Sequence, residues 1–527
     1  MSLLAIDIGS SQCKAVVFTA TGVVIARSVC RYSPDFPQPA FAEMDPAIFW
    51  NAVCKTSREV TNNGASEAAS EVARDVPHDP VQALCLSSHG ETFIPVNAQG
   101  EAIHRAILNI DNRATAEADW FETAIGARRI FEITGLIAHP MYPIPKILWL
   151  RRHRPEIYSQ AARFLSVTDF IHAKLGIPPY VGNSLASRFL AFDVKKDRWS
   201  DEILAVAGLA DDQLPIAVSS GTIAGRLNAE AATALGVNTG TPVVVGGHDQ
   251  ACGALGVGVT KPGRVSDSMG TYECLVAASD EPRLGEAAFA ARLNSYCHVV
   301  PGKFLTLAYF PSGIMVQWFR DLIYGRETPS ERFVKSEASE ADQYSSLEAA
   351  CTDAPTGLCI TPHLIGTCNP DFDPRARATI FGLDSNSSRS QIYQGILEGI
   401  ACELAQVTKI LKDANGNFED LYVSGGGTRS PIGLKLRAAI TGCRLHVMQC
   451  DEAVCQGAAI LAGVAAGVHS QIDDGVERTV REKEVIEPDA SLAAAYAAQL
   501  KHYRRLCAAL KAFRDENFRT LSREANQ

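Results

Sequence analysis

Leu3-Leu4-Ala5-Ile6-Asp7-Ile8-Gly9-Ser10-Ser11-Gln12-Cys13-Lys14-Ala15-Val16-Val17-Phe18-Thr19 opens the chain with an apolar run, a tight polar turn and a second apolar run. Leu3–Ile8 reads as a strand, Gly9-Ser10-Ser11-Gln12 as a turn and Cys13–Thr19 as the returning strand. A further turn at Thr21-Gly22 leads to a third strand over Val23–Cys30. The same device recurs in the second half: strand Gly263–Asp267, turn Ser268-Met269-Gly270-Thr271, strand Tyr272–Ala277. Two hairpins with small, hydroxylated, glycine-bearing tips point to a duplicated α/β architecture.

Working outward, Asp45 is a good helix N-cap and Pro46 suits the first helical position, with Ile48, Phe49, Trp50 and Val53 as apolar positions. Residues 61–80 are small, acidic and polar, and read as a surface helix end and loop. Gln82–Ser87 and Pro242–Val245 read as buried strands, and Ala251–Leu255 as helix-compatible. Asp420–Val423 leads into Gly425-Gly426-Gly427 and then a helical stretch through Leu434, Leu436 and Ile440. Ala490–Asn517 reads as an amphipathic surface helix.

At 527 residues the chain calls for more than one domain, and 46% hydrophobic with 20% charged residues is a globular balance. A formal net charge of -10 excludes a general nucleic-acid or anionic-membrane surface. No basic targeting region or bilayer-length apolar run is visible, so the expectation is a cytoplasmic protein. The fifteen cysteines are odd in number and scattered, as free thiols of a reducing compartment are.

Three pieces can carry chemistry. In Asp7-Ile8-Gly9-Ser10-Ser11-Gln12-Cys13-Lys14, the turn at Gly9, Ser10 and Ser11 can offer backbone N–H groups to phosphate. Asp7 could hold Mg²⁺ through water and Lys14 could neutralise phosphate, although a plain polar hairpin reads equally well. In Gly246-Gly247-His248-Asp249-Gln250, Asp249 can take a proton from a substrate hydroxyl or simply cap the next helix, and the glycines allow close backbone approach. Ser424-Gly425-Gly426-Gly427-Thr428-Arg429-Ser430 can cradle a nucleotide at a helix N-terminus, but lacks the P-loop ending. Gly253, Gly256 and Gly258 read as packing glycines.

Met141-Tyr142-Pro143-Ile144-Pro145-Lys146-Ile147-Leu148-Trp149-Leu150-Arg151-Arg152-His153 resembles the first signature of the FGGY carbohydrate kinases at every constrained position. Ala378–Glu398 resembles the second, departing at Gly395, where the family has Ala or Ser. Ser424–Ser430, Glu452-Ala453 and Gly457-Ala458-Ala459 resemble the family's nucleotide domain. The resemblance implies two actin-like (ribonuclease H-like) domains around a central cleft. Residues 1–247 would form the sugar-binding domain, 248–470 the nucleotide-binding domain and 471–527 a C-terminal helical segment. It also implies ATP and Mg²⁺, with Asp249 as catalytic base and Asp7 and Asp249 on the metal side. Gly9, Ser10, Ser11 and Lys14 would form one phosphate loop, Gly270 and Thr271 the other, and Gly425, Gly426 and Ser430 the nucleotide loop.

By motif alignment, His89, Glu91, Asp111, Met141 and Gln250 are the expected substrate contacts, a set suited to a polyhydroxylated ligand. Glycerol kinases carry Arg where this chain has Gly90 and Tyr where it has Met141, whereas Ser88-His89-Gly90 resembles xylulokinases. The expectation is therefore a kinase acting on a small ketose or polyol, xylulose-like by preference, with a glycerol- or erythritol-type polyol as the alternative acceptor. An idle sugar-binding protein on the same fold, or an actin-like ATPase, are the competing classes. The expected partner is the small-molecule substrate, and a homodimer is left open.

Overall fold

The computed structural model describes residues 1–61, 79–325 and 340–524. The loop expected over 61–80 lies largely outside the described residues, apart from the end of the helix Pro46–Thr61. Asp45 caps that helix as expected, its Oδ1 accepting the Ala47 N–H at 2.9 Å.

The first sheet contains β1 (Ser2–Ile8), β2 (Gln12–Thr19), β3 (Val24–Arg31), β4 (Val81–Ser88), β5 (Ile223–Arg226) and β6 (Pro242–His248). Its order is β5-β6-β4-β1-β2-β3. β1, β2 and β3 form an antiparallel meander, β4 and β6 run parallel to β1, and β5 is antiparallel to β6. The second sheet contains β7 (Val265–Met269), β8 (Tyr272–Ser279), β9 (Asn294–Cys297), β10 (Phe304–Pro311), β11 (Asp420–Ser424), β12 (Arg444–Met448) and β13 (Glu482–Ile486). Its order is β9-β10-β8-β7-β11-β12-β13. Apart from β9, this repeats the first sheet: an antiparallel trio β10-β8-β7, then β11 and β12 parallel to β7, then antiparallel β13. The duplication inferred from two hairpin tips is thus a duplication of the whole sheet.

The halves join through two helices. Asp249–Gly256 follows β6, and Ala453–Ala465 follows β12. They pack so closely that a Cβ on Gly256 would lie 1.9 Å from the Ala453 carbonyl oxygen, and one on Gly457 1.9 Å from that of Cys252. Gly256 is thus a packing glycine, as read from the sequence. The expected boundary after residue 247 falls inside β6, whose last residue, His248, still pairs with Ser88 of the first sheet. All fifteen cysteines are unpaired and none is exposed. Among the described residues no helix is long and apolar enough to cross a membrane.

The glycine contact between these helices gives a stability prediction. Gly457→Ala forces a methyl into backbone, so its urea midpoint should fall by the equivalent of about 1–3 kcal/mol. Gly426→Ala, whose Cβ meets nothing within 4 Å, should leave the midpoint in place. Equal midpoints for both variants would contradict the close packing.

Candidate active site

β1, β4 and β6 end at one level, since Ile8 and His248 both pair with Ser88. The turns that follow therefore bring Asp7, Glu91 and Asp249 to one edge of the sheet. A register shift between Val245 and Gly247 bends β6 just before Asp249. The two glycines serve this bend. A Cβ on Gly246 would sit 2.1 Å from the Leu86 carbonyl oxygen, and one on Gly247 2.1 Å from Ser184 Oγ. The close approach expected of them is to this chain's own atoms.

Asp249 keeps 23% of its side chain exposed, and its Oδ1 accepts the Gln250 N–H at 2.6 Å. Burial, then the Asp7 and Glu91 carboxylates, push it up to about 8. His248 Nε2 lies 3.2 Å from Asp249 Oδ1, and its Nδ1 lies 3.3 Å from the hydroxyl of buried Tyr296. Burial holds His248 well below its ordinary value, so this close approach is to a neutral ring and is not an ion pair. Asp7 is raised to about 6 by burial, against the pull of Lys14. Its Oδ1 has no hydrogen-bond partner.

Lys14 is directed elsewhere. Its Nζ pairs with Glu452 at 2.9 Å, where Arg27 converges at the same distance. Burial works against the Lys14 charge, but Glu452 outweighs it and holds the ammonium above its ordinary value. The hairpin tips offer backbone: Ser10 is half-buried, while Ser11 and Thr271 are exposed. Gly425 has φ +94° and lies against the Met269 carbonyl oxygen, which ties the nucleotide-type loop to the end of β7. Ser430 accepts the Gly433 N–H at 3.1 Å and so caps the helix Pro431–Thr441.

The expected substrate residues divide in two. His89 spends both ring nitrogens internally, Nδ1 on the Ile8 carbonyl oxygen at 2.8 Å and Nε2 on Thr92 Oγ1 at 2.8 Å. Asp111 is fully buried, bonded to the Ala42 N–H at 2.6 Å and bidentately to the Arg113 guanidinium. In this geometry both residues brace the loops and leave no polar atom for a ligand. Glu91, held at φ +62°, accepts the Arg188 Nε–H on Oε1 at 2.6 Å, and its Oε2 has no partner among the described residues. The half-buried Gln250 side chain makes no hydrogen bond within the described residues. Met141 lines a narrow crevice with Tyr142, Arg292, Asn294, Tyr309 and Phe372.

Two residues went unread in the sequence. Arg188 is buried, bonds Glu91 in the first half and Asn294 Oδ1 at 3.0 Å in the second, and lies over the rings of Tyr142 and Tyr296. A Cβ at Gly90 would come 3.1 Å from Arg188 Cγ. Lys146, quoted only as part of a signature, is fully buried on the helix Pro143–His153. It donates to the carbonyl oxygens of Leu108 at 2.5 Å and Glu91 at 3.2 Å, tying together the two loops that carry Glu91 and Asp111. Burial lowers it to about 7, although Asp111 and Glu91 favour its charge.

Two models of FGGY carbohydrate kinase domains match the chain, the N-terminal one over residues 2–256 and the C-terminal one over 265–466. The chain belongs to the FGGY family of carbohydrate kinases. It is 29% identical over 507 residues to a xylulose kinase of Escherichia coli, covering 95% of this chain and 98% of that one. It is 25% identical over 474 residues to a gluconokinase of Bacillus subtilis, covering 89% of each. A ligand-bound xylulose kinase structure from Lactobacillus acidophilus superposes with a TM-score of 0.84 at 21% identity, over 97% of this chain and 98% of the other. The two-domain actin-like fold is that of this family, and the protein is a carbohydrate kinase.

The raised Asp249 gives a signed pH prediction. Its ordinary value is 3.8 and its folded value about 8, so over that interval the unfolded chain releases a proton that the fold retains. Rising pH therefore favours unfolding. Compared with Asp249→Asn, the wild type should lose stability steadily from pH 4 to pH 8. The variant's melting temperature should exceed the wild type's at pH 8, and the gap should narrow toward pH 4. A pH-independent gap would refute the environment described for Asp249.

Proposed function

We propose that this kinase transfers the γ-phosphoryl group of ATP to a hydroxyl of a small ketose or polyol, with a five-carbon ketose of the xylulose type as preferred acceptor. The observation that carries the reading is Asp249. It is a partly exposed carboxylate at a strand end, raised toward neutrality and beside a glutamate with one free oxygen. A base of that strength suits removal of a proton from an alcohol as it becomes a nucleophile.

In the proposed reaction the acceptor hydroxyl gives its proton to Asp249 as its oxygen bonds the γ-phosphorus. The bond from that phosphorus to the bridging oxygen breaks, and ADP leaves with the electron pair. Glu91 Oε2 and the Gln250 amide would orient the acceptor's hydroxyls. The Ser10-Ser11 and Gly270-Thr271 turns would donate backbone N–H groups to phosphate oxygens. Gly426, with open space at its Cβ, would pass against the nucleoside.

The carboxylates also fit a divalent cation. Among the described residues no three His, Cys, Asp or Glu side chains gather as a metal cage. Asp7 and Asp249 remain, one with an unpartnered oxygen and both raised chiefly by burial. One or two carboxylates together with substrate phosphates are the usual protein contribution to Mg²⁺. Mg²⁺ held by these two would supply the positive charge that screens triphosphate oxygens and keeps Asp249 ionised.

Similarity to xylulose kinases over nearly the whole chain supports the acceptor class, as do Gly90 and the unbranched Met141 in the crevice wall. A sugar acid is the second reading, favoured by Arg292. Its guanidinium lines the same crevice and has no acidic partner among the described residues.

Two measurements test the proposal. Asp249→Asn should lower turnover by about 10²-fold or more while ADP binding persists; near-wild-type turnover would remove Asp249 as the base. A coupled ADP-release assay over xylulose, other ketoses, xylitol, erythritol, gluconate and glycerol should give xylulose-type acceptors a higher kcat/KM than glycerol. Glycerol as the best acceptor would overturn the acceptor reading, and no stimulation by any of them would overturn the kinetic proposal as a whole.

A further inference from the structure

The last helix, Ala490–Glu524, packs against the loop that carries Phe372. It is anchored on the long helix Arg389–Asn415, where Tyr496 donates to Glu398 at 2.8 Å and Tyr503 to Glu403 at 2.5 Å. Tyr496 and Tyr503 are almost fully buried. Beyond this anchor the helix carries Lys511, Arg514 and Asp515. Lys511 Nζ pairs with Asp371 at 2.6 Å, Arg514 Nε with Asp373 at 3.1 Å, and Asp515 with Arg375 Nη2 at 2.8 Å. Arg375 also binds Asp373 at 2.8 Å.

These pairs flank Phe372. Its backbone sits at φ +49°, a region that side-chain-bearing residues occupy only when their surroundings hold them there. Its ring packs edge-on to Tyr309 at 5.6 Å, beneath the Arg292 guanidinium at 5.5 Å and beside His139 at 6.5 Å. Phe372 is thereby one wall of the crevice that also contains Met141 and Tyr142. On the other side of Phe372, Asn369 is fixed from the core. Its Nδ2 donates to the carbonyl oxygens of Ala291 at 3.0 Å and Arg292 at 2.9 Å, and its Oδ1 accepts the Tyr309 N–H at 3.1 Å. The loop is held between an inner anchor and an outer ionic clamp.

We propose that Lys511, Arg514 and Asp515 are positioning residues for the acceptor: the C-terminal helix sets the Phe372 wall of the acceptor crevice through its ion pairs with Asp371, Asp373 and Arg375. An isolated exposed pair contributes little, but linked pairs of opposite sign fix one geometry for a loop. Arg514, Asp373, Arg375 and Asp515 form one linked network anchored by the nearly buried Arg514–Asp373 pair, and the half-exposed Lys511–Asp371 pair stands beside it. The inference rests on the acceptor reading above for the identity of the crevice.

The test uses the full-length kinase with Lys511→Asp, Arg514→Asp and the swap Lys511→Asp/Asp371→Lys, with the best acceptor from the panel. Either reversal should raise the acceptor KM about tenfold, the scale of a small misplacement of a positioning group, with kcat and the ATP KM nearly unchanged. Amide hydrogen exchange in a peptide covering residues 366–377 should quicken in both reversals without ligand. The swap should restore both readouts. Unchanged acceptor KM and exchange, an equal rise in both Michaelis constants, or a swap that restores neither readout would overturn the clamp. If the wild type phosphorylates no acceptor, the acceptor reading fails, and the exchange comparison still decides whether the helix holds the loop.

Discussion

Three parallel strands that run out of one sheet at the same level are the constraint on which the site depends. β1, β4 and β6 are in register at Ile8, Ser88 and His248, so their following turns must emerge side by side. Ligands in open α/β sheets collect outside the carboxyl ends of strands for this reason. The constraint is enforced by backbone rather than side chains. Gly246 lies against the Leu86 carbonyl oxygen and Gly247 against Ser184, leaving no room for a Cβ at either bend position. A larger residue there would shift β6 away from β4 and carry Asp249 out of line with Asp7.

The distribution of cations decides which carboxylates stay reactive. Arg188 is committed to Glu91, Arg113 to Asp111 and Glu43, and Lys14 with Arg27 to Glu452. Asp7 and Asp249 are left without a matched cation, and both are raised. A pair of underneutralised carboxylates costs folding stability as pH rises, and is retained where a bound cation can supply the missing charge. Arg188 does more than neutralise. By bonding Asn294 as well as Glu91, it places one guanidinium against both halves of the molecule.

The parts legible in the sequence were those that local pattern encodes. Alternating apolar runs around Gly9-Ser10-Ser11 and Gly270-Thr271 marked both hairpins. An apolar β-branched run into two glycines marked the strand that delivers Asp249. What the sequence hid was long-range pairing. Arg188 meets Glu91 across 97 residues and Lys14 meets Glu452 across 438, and neither separation leaves a periodic trace. Motif alignment places His89 and Asp111 among the substrate contacts, yet their hydrogen-bonding capacity is spent on Ile8, Thr92, Ala42 and Arg113. The side-chain inventory does not reveal whether a partner has already been found within the fold.

The duplicated sheets also show how one scaffold came to hold two unlike jaws. In the first hairpin the last two ladder pairs are Ile8 with Cys13 and Asp7 with Lys14. In the second they are Met269 with Glu273 and Ser268 with Cys274. The position of Asp7 is therefore taken by Ser268, and that of Lys14 by Cys274. Glu273 points into the core, buried against Arg437 at 2.7 Å and Ser312 at 2.7 Å, so its charge is satisfied away from the tip. The second tip is left with an uncharged glycine and threonine. A triphosphate gripped by acids on both sides would be repelled twice. In the proposed reaction, one charged and one neutral tip would keep a metal-side carboxylate near the reacting hydroxyl and offer the other end of the anion only backbone N–H groups and a hydroxyl.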